Sequence, residues 1–321
     1  MNTSDDCQAF HPGERLMQER VGVRDRMAAI GQQVIRNFML EQHRAFFAQL
    51  PFVIVGSVDA DGQPWASLLA HPPGFISSPD RHRLLIHAQP ANTDPLHDTL
   101  IAGASIALLG IEQHTRRRNR ANGIVERITD DGFVMGVEQS FGNCPKYIQA
   151  RQVSYSHTDG LAAVHSATTL DAQSRQIVSL ADTLFIATAH PDAQRGATRS
   201  HGVDVSHRGG KPGFVRIDRD DTLTIPDFTG NHYFNTLGNI VLNPHTGLLF
   251  IDFASGDLLY LTADAEIIVD GTELEAFAGA ERLLRLKIRQ VRHVVAALPL
   301  RWTGAVQLSP FLANTGCWSP A

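Results

Sequence analysis

The chain has 321 residues, 43% of them hydrophobic and 19% charged, enough apolar material for two ordinary domains or one large one. A net charge of −5 gives no global attraction to nucleic acid or anionic lipid, and no apolar run approaches the length of a membrane span. Cys7, Cys144 and Cys317 are too scattered for a disulfide framework or a cysteine zinc site, and the start MNTSDDCQAF lacks the basic and apolar regions of a leader, so a cytoplasmic protein is expected.

Residues 1–50 read as a helical extension. From Met27 to Leu50 the apolar Ile30, Val34, Ile35, Phe38, Met39, Phe46 and Phe47 recur at three- and four-residue steps. At Pro51 the period changes to that of strands. PFVIVGSVDADGQPWASLLA predicts a hairpin around Asp-Ala-Asp-Gly, and HRLLIHA, GASIALLGIE, RRRNRANGIVERI and GFVMGVEQ complete a first unit over 51–150. ANTDPLHDTLIA, between two of these strands, predicts a short helix. Residues 151–182 read as a helical connector, with its helix over 170–184.

Residues 183–321 then repeat the first unit in order. TLFIATA stands where PFVIVGS stood, KPGFVRIDRDDTLTIPD answers PPGFISSPDRHRLLIHA, HTGLLFIDF answers ASIALLGIE, and DLLYLTADAEIIV answers TRRRNRANGIVERI. Gly74 to Ala107 is 33 residues and Gly213 to Gly247 is 34, and one insertion near AQRGATRSHG accounts for the remaining drift. A helix is expected over 273–284, followed by a strand carrying Leu284, Leu286 and Ile288. Many short strands with few helices predict small barrels, and neither a GxGxxG turn nor a P-loop is present. The expected fold is therefore mainly β with some α, two tandem barrels behind an N-terminal helical extension.

The segment DVSHRGGKPGFVRIDRDDTLTIPDFTGNHYFNTLGNIVLNPHTGLLFIDFASGDLLYLTADAEI resembles the core of pyridoxamine 5'-phosphate oxidase-related, FMN-binding split barrels. The shared features are a Ser/Arg strand, a Pro-Gly-Phe turn, a strand ending Ile-Pro-Asp, a Gly-Asn loop with a short helix, then Asn-Pro and an apolar strand. QSFGNCPKYIQ is similar to the Cys-Pro-Lys segment that follows the barrel in several relatives. The resemblance implies FMN at the seam between two barrels, paired within one chain as a pseudo-dimer or between chains as a homodimer. It also implies an FMN-dependent oxidoreductase acting with a small-molecule substrate or electron donor. A non-catalytic flavin or haem-binding protein is the alternative, because the family includes all of these. By position in the motif, Ser206, His207, Arg208, Ile225, Pro226 and Asp227 flank the cofactor, while Gly230 and Asn231 open a helix whose amides suit phosphate. Relatives often carry arginine or lysine in this loop, where this chain has Thr229, Asn231, His232 and Asn235.

From the residues alone, Thr229 and Asn231 equally suit helix caps, and Gly209, Gly210 and Gly213 suit turns. TRRRNRANG is the sharpest charge feature. On a strand Arg116, Arg118 and Arg120 share one face, which suits a phosphate or carboxylate. The alternative is a solvated face paired with Glu112 and Glu126. No aromatic residues interleave, which argues against a nucleic-acid surface. At the equivalent places the second unit has Asp257, Leu259 and Leu261 or their neighbours. Cys144 reads as a reactive thiol beside Lys146 or as an inert buried residue. The 15 histidines show no metal-binding spacing, so no metal site is expected, and no catalytic residue can be named.

Overall fold

The computed structural model describes residues 9–156, 162–194 and 198–318. The N-terminal extension forms three helices, α1 (Pro12–Arg20), α2 (Arg24–Val34) and α3 (Glu41–Ala48). α1 starts earlier than the periodicity predicts because its first turn is locally encoded. Pro12 suits the opening position, the His11 ring accepts from Gly13 N, and the Glu14 carboxylate accepts from His11 N at 2.8 Å.

Strands β1 (Phe52–Val58), β2 (Pro64–Ala70), β3 (Ile76–Ser77), β4 (Arg83–Ile86), β5 (Ser105–Glu112), β6 (Arg117–Thr129) and β7 (Gly132–Gly142) form one antiparallel sheet. Its order is β2-β1-β5-β6-β7-β4-β3, with a short helix α4 (Leu96–Thr99) leading into β5. All seven strands send apolar side chains into one core with Phe46, Phe47 and Leu50 of the α3 region, so the sheet is rolled around it. The connector then departs from its expected helical form. It contains strands β8 (Ala150–Tyr155) and β9 (Ala163–Ala167), and only α5 (Ala172–Leu180) is helical. Edge pairing decides this, since strand partners lie far away in sequence.

The second sheet comprises β10 (Thr183–Ala189), β11 (Val203–Gly209), β12 (Arg216–Ile217), β13 (Thr222–Phe228), β14 (His245–Ile251), β15 (Leu258–Ile268) and β16 (Ala280–Val295). Its order, β11-β10-β14-β15-β16-β13-β12, follows the same path as the first, and β9 adds to β16. Helix α6 (Asn235–Leu242) precedes β14 and α7 (Thr272–Glu275) precedes β16. The helix expected over 273–284 is thus one turn, because Leu283, Leu284 and Leu286 are drawn into the ladder with β13 and β15. A final strand, β17 (Leu300–Gln307), pairs with β8. No helix among the described residues is long and apolar enough to cross a membrane. The insertion noted in the sequence includes residues 195–197, which lie outside the described residues, as does Cys7.

A third core joins the two sheets. Phe52, Ile54, Leu68, Ala107 and Leu109 from the first pack against Phe185, Ala187, Val205, Leu249 and Tyr260 from the second. β1 and β5 are therefore buried on both faces, which is why PFVIVG and SIALLGI are continuous apolar runs rather than alternating ones. Close approach requires glycine here: a Cβ on Gly247 would lie 2.3 Å from Pro64 O.

Candidate functional site

An open cleft lies at this seam. β6 contributes Arg118 and Arg120, β11 contributes Ser206, His207 and Arg208, and β13 contributes Pro226, Asp227 and Phe228. The segment after β7 adds Cys144, Lys146 and Tyr147, the loop from Gly230 into α6 forms one wall, and Arg282 of β16 completes the cationic set.

The charges do not cancel. Asp204 accepts from Arg120 at 2.8 Å and from Asn122 Nδ2 at 2.8 Å, while Arg120 also donates to Ser206 Oγ. Buried Asp227 bridges Arg208 and Arg282, and Glu281 takes a second bond from Arg282 at 2.6 Å. Two carboxylates thus answer these two guanidiniums. Arg118 has only carbonyl partners, Cys144 O at 2.6 Å and His207 O at 3.5 Å, and no ion pair among the described residues. Burial, with smaller contributions from Arg120 and Arg208, pushes Arg118 down to about 10, so it still carries its charge at neutral pH. Glu14, behind α6, is held well above the usual carboxylate range, first by burial and then by Asp204, which favours its neutral form.

His207 is buried, and neither ring nitrogen has a hydrogen-bond partner among the described residues. Burial first, then Arg118, Arg208 and Arg151, hold its pKa well below 6.5, so the imidazole is neutral. Arg120 Nε and Arg208 Nε are likewise buried without partners. Buried donors left unpaired are costly, and a cluster of them facing a cleft marks a place for an oxygen-rich anionic ligand. α6 adds to this. Its first residues, Asn235, Thr236 and Leu237, line the cleft, and its N-cap, Phe234, offers no side-chain cap. Phe234 and His232 both have φ of 62°, a left-handed conformation that costs non-glycine residues free energy and sets the loop's path.

Of the residues the sequence singles out, Arg118, Arg120, Ser206, His207, Arg208, Pro226, Asp227, Gly230 and Asn231 are brought together in this cleft. Arg116 and Ile225 are not. Arg116 precedes β6 with φ of 58°, which turns it off the strand face, and it donates to the carbonyls of Ile148, Gln307 and Leu308. Ile225 faces the core of the second sheet. Gly230 and Asn231 do not open a helix, because α6 starts at Asn235 and Asn231 Oδ1 instead accepts from Tyr233 N at 3.1 Å. Glu126 pairs with Arg83 rather than with the arginines of β6. Arg282 carries no sequence signal, since it reaches the cleft only through the folding of a distant segment, whereas Tyr147 lies in the QSFGNCPKYIQ segment.

The opposite seam position is closed. Matching strand bounds and register, Ser206, His207 and Arg208 correspond to Ser67, Leu68 and Leu69. Arg118 and Arg120 correspond to Leu258 and Tyr260, one residue away from the Asp257, Leu259 and Leu261 frame expected from sequence. Tyr260 is fully buried and its hydroxyl donates to Asp94 at 2.7 Å. A phenol and leucines thus fill the place that the arginines leave open.

Residues 39–161 match the family model of pyridoxamine 5'-phosphate oxidase. No curated protein matches the sequence. Among solved structures, HupZ of Group A Streptococcus is similar at 14% identity, covering 38% of this chain and 90% of its own, with a TM-score of 0.29. A candidate pyridoxamine 5'-phosphate oxidase from Lactobacillus delbrueckii is similar at 18% identity, covering 39% of this chain and 94% of its own, with a TM-score of 0.30. HutZ, the heme storage protein from Vibrio cholerae, is similar at 14% identity, covering 46% and 99%, with a TM-score of 0.26. Residues 39–161, whose strands are rolled around one core, are thus similar to the pyridoxamine 5'-phosphate oxidase family, a match to less than half of the chain.

Proposed function

We propose that the seam cleft binds FMN, one molecule per chain, and that the protein is an FMN-dependent oxidoreductase whose two barrels act as an internal pseudo-dimer. The observation that carries this reading is Arg118, a half-buried guanidinium beside a cleft with no carboxylate to answer it among the described residues. Arg118, Lys146 and the amides at the start of α6 would hold the phosphate, and Leu109, Pro226 and Phe228 supply apolar surface for the ring. When bound, the flavin supplies the redox chemistry; the cationic wall favours its anionic reduced form, and the protein's part is position and electrostatics.

The test is to add FMN to purified protein, desalt, and follow retained flavin absorbance and fluorescence quenching. Retention at one flavin per chain, lost in Arg118→Gln, supports the reading. Bleaching of the bound flavin by NADH, NADPH or a low-potential electron donor supports the enzymatic part, and flavin binding without bleaching reduces the protein to a carrier. His207 favours one other reading, because a neutral, unpartnered imidazole at a cleft suits haem iron. A Soret band that appears with haem and vanishes in His207→Ala, without flavin retention, would replace the FMN proposal.

A further inference from the structure

Outside the cleft, the connection between β10 and β11 gathers a second group of chemistry-bearing side chains. His190 follows β10 directly and His201 lies two residues before β11, and the bond from His190 N to Gly202 O at 3.1 Å ties the two backbones together. Their rings stack with centroids 3.8 Å apart and planes 16° apart. Nδ1 of His190 lies 3.8 Å and Nδ1 of His201 3.9 Å from the same oxygen of Asp192, Oδ2. One ligand atom from each of the three residues lies within 4.8 Å of the other two.

We propose that His190, Asp192 and His201 form a binding site for one divalent transition-metal ion of the zinc, cobalt or nickel type. Tetrahedral bonds of about 2.0–2.1 Å separate neighbouring ligand atoms by roughly 3.4 Å, so binding contracts the two histidine–aspartate spacings by about half an ångström and draws together the two ring nitrogens, which lie within 4.8 Å of each other. Small side-chain rotations supply that. Two imidazoles and one carboxylate suit borderline metals, whereas magnesium or calcium would require more oxygen. His190 is mostly buried, and its Nδ1 accepts the Asp192 backbone N–H at 3.1 Å, a hydrogen bond that coordination through Nδ1 would replace.

The surroundings leave a way in. His190 borders an open hollow shared with Asp61, Gly62, Asn243 and His245, and His11 packs edge-on against its other side with ring centroids 5.3 Å apart. Three protein ligands leave a fourth position for water or an external ligand. An ion here would pin the entrance to β11, the strand that carries Ser206, His207 and Arg208 into the cleft. The proposal stands independently of the FMN reading.

The experiment is a cobalt titration of the untagged, chelator-stripped full chain, read by visible d–d absorption and repeated with zinc by thermal shift. The expected result is one Co2+ per chain, displaced by Zn2+, with affinity at least tenfold weaker in His201→Ala and in Asp192→Asn and unchanged in Arg118→Gln. Zinc is expected to raise the melting temperature of the wild type and not of His201→Ala. His201 is partly exposed, so its removal leaves no large cavity, and circular dichroism of each variant establishes that it folds. No cobalt spectrum at millimolar metal, or binding that persists undiminished in both variants, overturns the proposal.

Discussion

Arg118 pulls stability and binding in opposite directions, and that opposition separates a ligand-binding residue from a structural one. A half-buried charge answered only by carbonyls costs the ligand-free protein free energy, so Arg118→Gln is expected to leave apoprotein stability unchanged or raise it by up to about 1 kcal/mol. The same change removes a charged donor and should weaken FMN about 10- to 100-fold, on the scale of about 1.5–3 kcal/mol for hydrogen bonds to charged groups. Thermal melts without ligand and flavin titration with it read the two effects. A purely structural Arg118 would lose stability instead. His207 gives a pH signature. Its folded pKa is depressed below 6.5, so the unfolded chain takes up a proton below that pH that the folded chain refuses. The imidazole's contribution is present above 6.5 and is lost as the pH falls toward its folded value. Wild type is therefore expected to lose more stability between pH 7.5 and 5.5 than His207→Gln, measured as the difference of melting-temperature slopes, in which the other titrating groups cancel.

Among the elements, α1 and α6 matter most to the cleft. They cross at two glycines: a Cβ on Gly13 would lie 2.1 Å from Gly238 O, and one on Gly238 would lie 2.6 Å from Glu14 N and Cγ. Asn235, at the start of α6, donates to the Glu14 carboxylate, so the N-terminal extension positions the helix end that lines the cleft. Gly238→Ala is expected to cost about 1–3 kcal/mol by overpacking and to weaken FMN binding as well, because the amides of α6 shift. Melting temperature and flavin affinity should fall together. The periodicity of residues 27–50 announces helices here, yet nothing in it says that the Pro12 helix docks against a segment more than two hundred residues away.

For the whole molecule, the shared core between the sheets predicts a single cooperative unfolding transition, since neither sheet keeps its buried outer face without the other. Gly247→Val, which would push β14 from β2, is expected to lower that one transition rather than split it, as followed by calorimetry. The closed opposite seam supplies a further test. Tyr260→Phe removes the phenol that Asp94 accepts from and should cost about 1–3 kcal/mol, while flavin stoichiometry stays at one per chain.

The amino-acid sequence by itself determined the strand runs, their matched order in the two halves, and the Ser206–Arg208 and Pro226–Asp227 segments that face the cleft. These are local patterns of period, turn chemistry and motif, readable because neighbours in sequence are neighbours on a strand. Only the tertiary structure decided that Arg118 and Arg120 from the first sheet answer the cation-poor loop of the second, while Arg116, two residues earlier, is turned away by a left-handed backbone. It also decided that Ile225 faces a core and that Arg282 and the His190–Asp192–His201 group find their partners. Those outcomes depend on register and on which sheet faces meet, and a one-residue change of register reverses the face on which every side chain lies.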